Sequence, residues 1–95
     1  MGRTRLVIYA ALYTYDQTRD DIGELRPAHR AHLKDLYDQG SLLASGPRGD
    51  GALLLLTADS EEGARALLEN DPFIVSGIVI DVDLAPWTVV YGPWS

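Results

Sequence analysis

A histidine lies within an apolar helical pattern in the segment 24–36, ELRPAHRAHLKDL. At about 100° per residue, one helix face carries the apolar residues Leu25, Ala28, Leu33 and Leu36. His29 falls near the centre of that face. Because imidazole exchanges protons near neutral pH, His29 is either a hydrogen-bonded core residue or the acid–base group of a site. Both interpretations are open from the pattern alone.

A carboxylate that could act with this histidine occurs in the segment NDPF, where Asp71 precedes a proline. Asp before Pro is typical of the residue that caps a new helical turn. The same carboxylate could instead accept a hydrogen bond from one imidazole nitrogen and fix the tautomer. The other nitrogen would then be free to take or give a proton.

Other reactive groups are few. The chain has no cysteine, which excludes disulfides, thiolate metal sites and a cysteine nucleophile. His29 and His32 lie three residues apart and could share a metal, but no third ligand follows at helical spacing, so we predict no metal site. No phosphate-binding glycine motif is present, and we predict no cofactor.

The elements that position these residues follow from periodicity and turn chemistry. The pattern predicts strands at 6–13, 42–45, 52–57 and 78–84, and helices at 26–39 and 60–70, with a further helical turn after Asp71. The order βαββαβ predicts an α+β fold of the ferredoxin-like sandwich type. In that fold a four-stranded antiparallel sheet carries two helices on one face. We expect one domain spanning residues 1–95.

This topology predicts where the chemistry lies. The two helices must run antiparallel, so the start of the first helix lies beside the end of the second, and His29 lies near Asp71. The end of the first strand and the start of the fourth meet at the same end of the sheet, which favours a cleft there. We therefore predict His29 and Asp71 as catalytic residues. The residues predicted to bind substrate are Arg26, Tyr13 and Ser76.

Charge and hydropathy limit the partners. The formal net charge is −6 in 95 residues, which argues against a nucleic-acid partner. No apolar run approaches the ~18–20 residues of a membrane span, so we expect no membrane partner. The N-terminal basic and apolar stretch ends without a small-residue cleavage site, and we interpret it as a strand. The absence of cysteine fits the cytoplasm.

The face of the sheet that carries no helices is predicted to contact a second protein chain. The first and third strands are apolar on both sides, whereas a water-exposed face should alternate with polar residues. A monomer would leave this apolar patch in water. We therefore expect a homodimer with the two helix-free faces in contact. Asp81 and Asp83, on the last strand, are expected at the rim.

Two segments, RPAHRAHLKDLYDQGSLLASGP (26–47) and NDPFIVSGIVIDVDLAPW (70–87), resemble the YCII-related family. They contain an Arg-Pro-x-His helix start, a Gly-x-Leu-Leu-x-x-Gly-Pro segment and an Asp-Pro-Phe followed by glycine and a strand ending in Pro-Trp. The resemblance implies a ferredoxin-like fold that pairs into a dimeric α/β barrel. It also implies a His–Asp active site, in which the histidine and aspartate of these motifs correspond to His29 and Asp71.

One branch of the family eliminates chloride from a chlorinated hydroxyhydroquinone without a cofactor. The resemblance therefore implies a cofactor-free lyase or isomerase acting on a small cyclic or aromatic hydroxylated molecule. The turn GPRGDG (46–51) is shorter than the corresponding loop of other members, so the substrate itself does not follow. The alternative is a non-catalytic small-molecule-binding or accessory module.

Overall fold

A computed structural model describes residues 7–95 of the chain, so the predicted strand residue Leu6 lies outside the described part. The elements, in chain order, are β1 (Val7–Tyr15), α1 (Ile22–Asp38), β2 (Leu42–Arg48), β3 (Gly51–Ala58), α2 (Glu61–Leu68), α3 (Pro72–Val75) and β4 (Val79–Pro86). The predicted order is confirmed, including the short helical turn after Asp71.

The strands form one antiparallel sheet in the order β2-β3-β1-β4. The α+β ferredoxin-like fold is therefore confirmed, with β1 and β3 at the centre and β2 and β4 at the edges. Tyr9, Ala11 and Tyr13 of β1 are buried beneath the helices. The residues between them face the opposite side and are half-buried, as expected for alternating strand positions.

The core fills the space between the sheet and the helices. Leu54 and Leu56 of β3 are fully buried and pack with Ala64 and Leu68 of α2 and with Leu36 of α1. Burial of such side chains contributes ~1.5–3 kcal/mol each and is the main force holding the helices against the sheet. The core therefore fixes the position of α1, on which His29 lies.

Helix α1 begins at Ile22, four residues before the predicted start, and Pro27 lies inside it. Proline favours the first helical turn, where its missing N–H costs nothing, and this preference is the reason for the later predicted start. Instead the amide of Leu25 already bonds to the carbonyl of Asp21, and the Asp21 side chain makes no capping bond that a sequence pattern would reveal. The helix ends as predicted before Gly40, whose φ of 83° is the left-handed conformation typical of a C-terminal cap.

The buried stripe of α1 is narrower than predicted. His29, Leu33 and Leu36 are buried, but Ala28 is exposed. Ala28 lies about 100° around the helix axis from His29, on a side of α1 that faces solvent. His32, at the edge of the stripe, is half-buried and bonds through Nε2 to the carbonyl of Leu67 at 2.9 Å. This second histidine therefore joins α1 to α2.

Strand β4 contains an irregularity in its pairing with β1. Thr14 pairs with Asp81 and Tyr15 with Val79, so Ile80 is an extra residue in a β-bulge. As a result Val79 packs against the core, whereas Ile80 is 62% exposed.

The hairpin between β2 and β3 approaches β1 closely. A Cβ atom at Gly51 would overlap the carbonyl group of Tyr13, so only glycine fits there. The contact is strengthened by the amide of Tyr15, which donates to the carbonyl of Asp50 at 2.9 Å. The hairpin is thereby fixed beside the end of β1 at which the candidate site lies.

Candidate active site

His29 and Asp71 are in direct contact, although forty-two positions separate them. The imidazole Nδ1 lies 2.8 Å from one carboxylate oxygen and 3.0 Å from the other. His29 is 6% exposed and Asp71 is completely buried. The first half of α1 and the junction of α2 and α3 bring the pair together, as the antiparallel arrangement of the helices predicts.

Asp71 accepts two further hydrogen bonds. The hydroxyl of Tyr13 donates to Oδ2 at 2.9 Å, and the amide of Phe73 donates to Oδ1 at 3.0 Å. The second bond makes Asp71 the N-cap of α3, with Pro72 in the first helical position. Three protein donors therefore satisfy the carboxylate, as a fully buried acid requires.

The hydrogen bonds determine the imidazole tautomer. A carboxylate only accepts hydrogen bonds, so the Nδ1 atom that faces Asp71 carries the proton. In the neutral ring Nε2 is then left as a proton acceptor. The ring also stacks on Phe73, with centroids 4.0 Å apart and planes 3° from parallel. Phe73 is 1% exposed, so the imidazole is held in orientation by a rigid neighbour.

Tyr13 is a buried donor to the carboxylate. Burial, and next the negative charge of Asp71, raise the pKa of the Tyr13 phenol far above its ordinary value. Its hydroxyl therefore stays protonated and available as a donor at all physiological pH values. Tyr13 contacts Asp71, but it does not line the cleft that adjoins His29.

A cleft of about 610 Å³ opens between α1 and β2, with His29 in its wall. Its volume falls within the ~300–1,000 Å³ of small-molecule sites. Ser45 and Pro47 of β2 pair with Leu54 and Ala52, whose buried side chains mark the helix-covered face. Their side chains therefore face α1 across the cleft, and the wall opposite His29 is made of small groups.

Of the three residues predicted to bind substrate, the structure places one, Arg26, in the wall of the cleft. Arg26 lines the cleft, three residues before His29 on α1. Ser76 does not line it. It ends α3, its carbonyl accepts a 2.9 Å hydrogen bond from Arg19, and its buried hydroxyl has no hydrogen-bond partner among residues 7–95.

Sequence reasoning missed three cleft residues of α1. Arg30, Lys34 and Tyr37 also line the cleft. The four-residue spacing of Arg26, Arg30 and Lys34 is a signal that could have found the two cations, because such positions share one side of a helix. The observed start of α1 at Ile22 places all three cations well inside the helix.

The chain is similar to one protein family and to several known proteins. The model of the YCII-related domain matches residues 7–88. Protein YciI of Escherichia coli is 30% identical over 79 residues, which cover 70% of this chain and 81% of that protein. Derivative of benzaldehyde biosynthesis cluster protein C of Emericella nidulans is 34% identical over 67 residues, covering 57% of this chain and 68% of that protein.

Two solved structures share the fold. The 5-chloro-2-hydroxyhydroquinone dehydrochlorinase of Burkholderia phenoliruptrix, in complex with 2,5-dihydroxybenzoquinone, superposes with a TM-score of 0.66 at 19% identity. The match covers 85% of this chain and 93% of that one. A candidate antibiotic biosynthesis monooxygenase of Bacteroides thetaiotaomicron superposes with a TM-score of 0.62 at 11% identity, covering 97% and 96%. Since the family model spans nearly the whole described chain, the protein belongs to the YCII-related family.

Proposed function

We propose that the protein is a cofactor-free lyase or isomerase that acts by general acid–base catalysis on a small cyclic or aromatic hydroxylated molecule. The observation that carries this proposal is the 2.8 Å contact of the buried Asp71 with His29, which lines a cleft of about 610 Å³. A carboxylate that orients an imidazole beside a cavity is a common arrangement for proton transfer.

In this proposal Nε2 of His29 is the proton acceptor. It removes a proton from a hydroxyl group or an activated carbon of the substrate, and the electron pair released moves into the ring. In an isomerisation the proton returns at another atom. In an elimination a leaving group such as chloride departs with its bonding electrons. Asp71 stabilises the imidazolium that forms, and such proton transfer contributes a factor of ~10²–10⁴ in rate.

The nature of the substrate is supported by a structural neighbour. The dehydrochlorinase that shares the fold is in complex with 2,5-dihydroxybenzoquinone, a small hydroxylated ring. The cleft here has room for a molecule of that size, and its wall includes the aromatic side chains of Tyr15 and Tyr37. At 19% identity the shared fold does not transfer the reaction, so this neighbour supports only the class of ring substrate.

The test compares two histidine variants. Chlorinated and unchlorinated hydroxyhydroquinones are screened for turnover by absorbance and by release of chloride. We expect His29→Gln to lower turnover by about 100-fold or more, because the proton acceptor is lost. The matched control is His32→Gln, since an amide can still donate to the Leu67 carbonyl and His32 does not line the cleft.

Retention of turnover in His29→Gln would refute the catalytic role of the histidine. If the unaltered protein binds these rings saturably without turnover, and binding survives His29→Gln, the protein is instead a non-catalytic binding module. Circular dichroism of each variant separates loss of activity from loss of folding.

We also propose that the protein is a cytoplasmic homodimer joined through the helix-free face of the sheet. Ile8 and Leu12 of β1 and Leu53 of β3 lie on this face and remain partly exposed in the single chain. Exposed apolar surface of this kind favours association. Separately, no helix within residues 7–95 is both long and apolar enough to cross a membrane.

A further inference from the structure

The cleft-facing side of α1 carries cations in a regular arrangement around its axis. Relative to His29, Arg26 lies at about 60°, Arg30 at about 100° and the cleft residue Lys34 at about 140°. All of them line the cleft. The imidazole therefore lies at the inner edge of this side of the helix, and the cations occupy its outer part.

Two of these cations have no partner within the part of the chain that the structure describes. Lys34 bonds to Asp38 at 2.7 Å, whereas Arg26 and Arg30 form no ion pair among residues 7–95. Both guanidinium groups belong to exposed residues. In a chain with a formal net charge of −6, two unpaired arginines on one wall of the cleft form a local positive site.

Tyr15 connects these arginines to the His–Asp pair. Burial, and next the charge of Asp71, raise the pKa of the Tyr15 phenol, while the charges of Arg26 and Arg30 act in the opposite direction. One phenol thus experiences the carboxylate and both guanidinium groups. The arginines are therefore close to the centre at which we place the chemistry, rather than at a distant part of the rim.

Helix stability does not explain the arrangement. A helix favours anions in its first turn and cations in its last turn. The last turn of α1 has no basic residue and contains Asp35 and Asp38, while Arg26 and Arg30 lie in the first half. The first turn carries the acidic Glu24, and the two arginines lie outside both end turns, so the helix dipole does not account for their positions.

We propose that Arg26 and Arg30 form an anion subsite beside His29, which selects a hydroxylated ring that carries a carboxylate. A guanidinium presents its donors in a planar fork that matches the two oxygens of one carboxylate better than a single ring oxygen. The identity of the ring rests on the proposed function. The anion subsite itself rests only on the cleft and its cations.

The experiment measures binding by calorimetry with two probes of the same shape, 2,5-dihydroxybenzoate and its neutral amide 2,5-dihydroxybenzamide. We expect the unaltered protein to bind the acid about tenfold more tightly or better, since hydrogen bonds to a charged group are stronger than those to a neutral one. Raising the salt concentration from 50 to 500 mM should weaken binding of the acid and leave the amide unchanged.

The double variant Arg26→Gln/Arg30→Gln should bind the acid and the amide with equal affinity. Arg48→Gln is the matched control, because it removes the same charge from an exposed arginine that does not line this cleft. It should keep the preference for the acid. His29→Gln should also keep that preference, so failure of the catalytic proposal and failure of the anion subsite give different results.

Three results would overturn the subsite. They are equal affinity of the unaltered protein for both probes, no saturable binding of the acid, and a preference for the acid that survives in the double variant. Since both arginines are exposed, their replacement should leave the fold intact, which circular dichroism checks in each case.

Discussion

At the scale of single residues, Asp71 has two roles that the same two oxygens perform. It holds the imidazole of His29 through Nδ1, and it caps α3 through the amide of Phe73. The sequence predicted both roles separately, because Asp before Pro indicates a cap and the topology places residue 71 near residue 29. The bond from Tyr13 was not predictable in the same way, since strand periodicity tells which face a side chain is on but not which atom it meets.

The double role predicts different results for two substitutions of Asp71. Asp71→Asn can still cap α3 but presents no charge to His29, so activity should fall by ~10²–10⁴ with a small change in stability. Asp71→Ala also leaves the Tyr13 hydroxyl and the Phe73 amide without their partner, which costs ~1–3 kcal/mol for each buried group. Urea unfolding and turnover are measured on both variants. Equal stability of the two would contradict the capping role.

The raised pKa of Tyr13 predicts how the free energy of unfolding changes at alkaline pH. Its phenol titrates near 10.0 in the unfolded chain and at a raised pKa in the native protein, because of burial and the charge of Asp71. Above about pH 10 the unfolded chain loses a proton that the native chain keeps, so stability falls as pH rises, by up to ~1.4 kcal/mol per pH unit for one proton.

Thermal unfolding between pH 9 and 11 tests this effect. Tyr13→Phe should be less stable at neutral pH and should lose stability less steeply above pH 10. Tyr91→Phe is the control, because Tyr91 is 95% exposed, and it should follow the unaltered protein. A slope unchanged by Tyr13→Phe would show that this phenol has the same pKa in both states.

At the scale of elements, the ends of helices were predictable where a side chain makes the cap. Ser60, at the start of the predicted helix 60–70, is of a residue type that caps helices, and its hydroxyl accepts a hydrogen bond from the amide of Gly63 at 3.0 Å. The start of α1 was missed because the side chain of Asp21 bonds to Arg19 instead of capping the helix. The bulge at Ile80 was missed because residues 78–80 are all apolar, so the sequence gives no sign that one of them is inserted.

The cap of α2 gives a direct test. Ser60→Ala should lower the free energy of unfolding by ~0.5–2 kcal/mol, since the amide of Gly63 loses its acceptor. Ser60→Asp keeps an acceptor and should retain most of the stability. Chemical denaturation of the three proteins measures the difference. If both variants lose the same amount, the hydrogen bond to Gly63 is not the source of the stability.

At the scale of the whole molecule, the order of elements was sufficient to predict the sheet and the side on which the helices lie. It also predicted that His29 and Asp71 meet, because that depends on topology alone. The cleft could not be predicted in the same way. The width of the cleft depends on the distance between α1 and β2. Its charge depends on which side of the helix Arg26 and Arg30 occupy.

The proposed homodimer predicts the effect of a charge on the helix-free face. Leu53→Asp should convert the protein to a monomer, because a buried carboxylate without a partner costs more than the contact gains. Leu53 is already partly exposed in the single chain, so the monomer should remain folded. Light scattering after size exclusion measures the mass. Ala66→Asp, on the exposed side of α2, is the control, and a dimeric Leu53→Asp protein would contradict the proposed interface.

Helix α3 has only four residues, yet its first amide shares a carboxylate with the imidazole. So short a helix has little cooperativity of its own and is held by the residues around it. If this single turn uncoils on warming, Asp71 is released from its position while the sheet is still intact. Heating should therefore abolish activity several degrees below the temperature at which the sheet unfolds. A ligand bound against His29 should reduce the difference between these two temperatures.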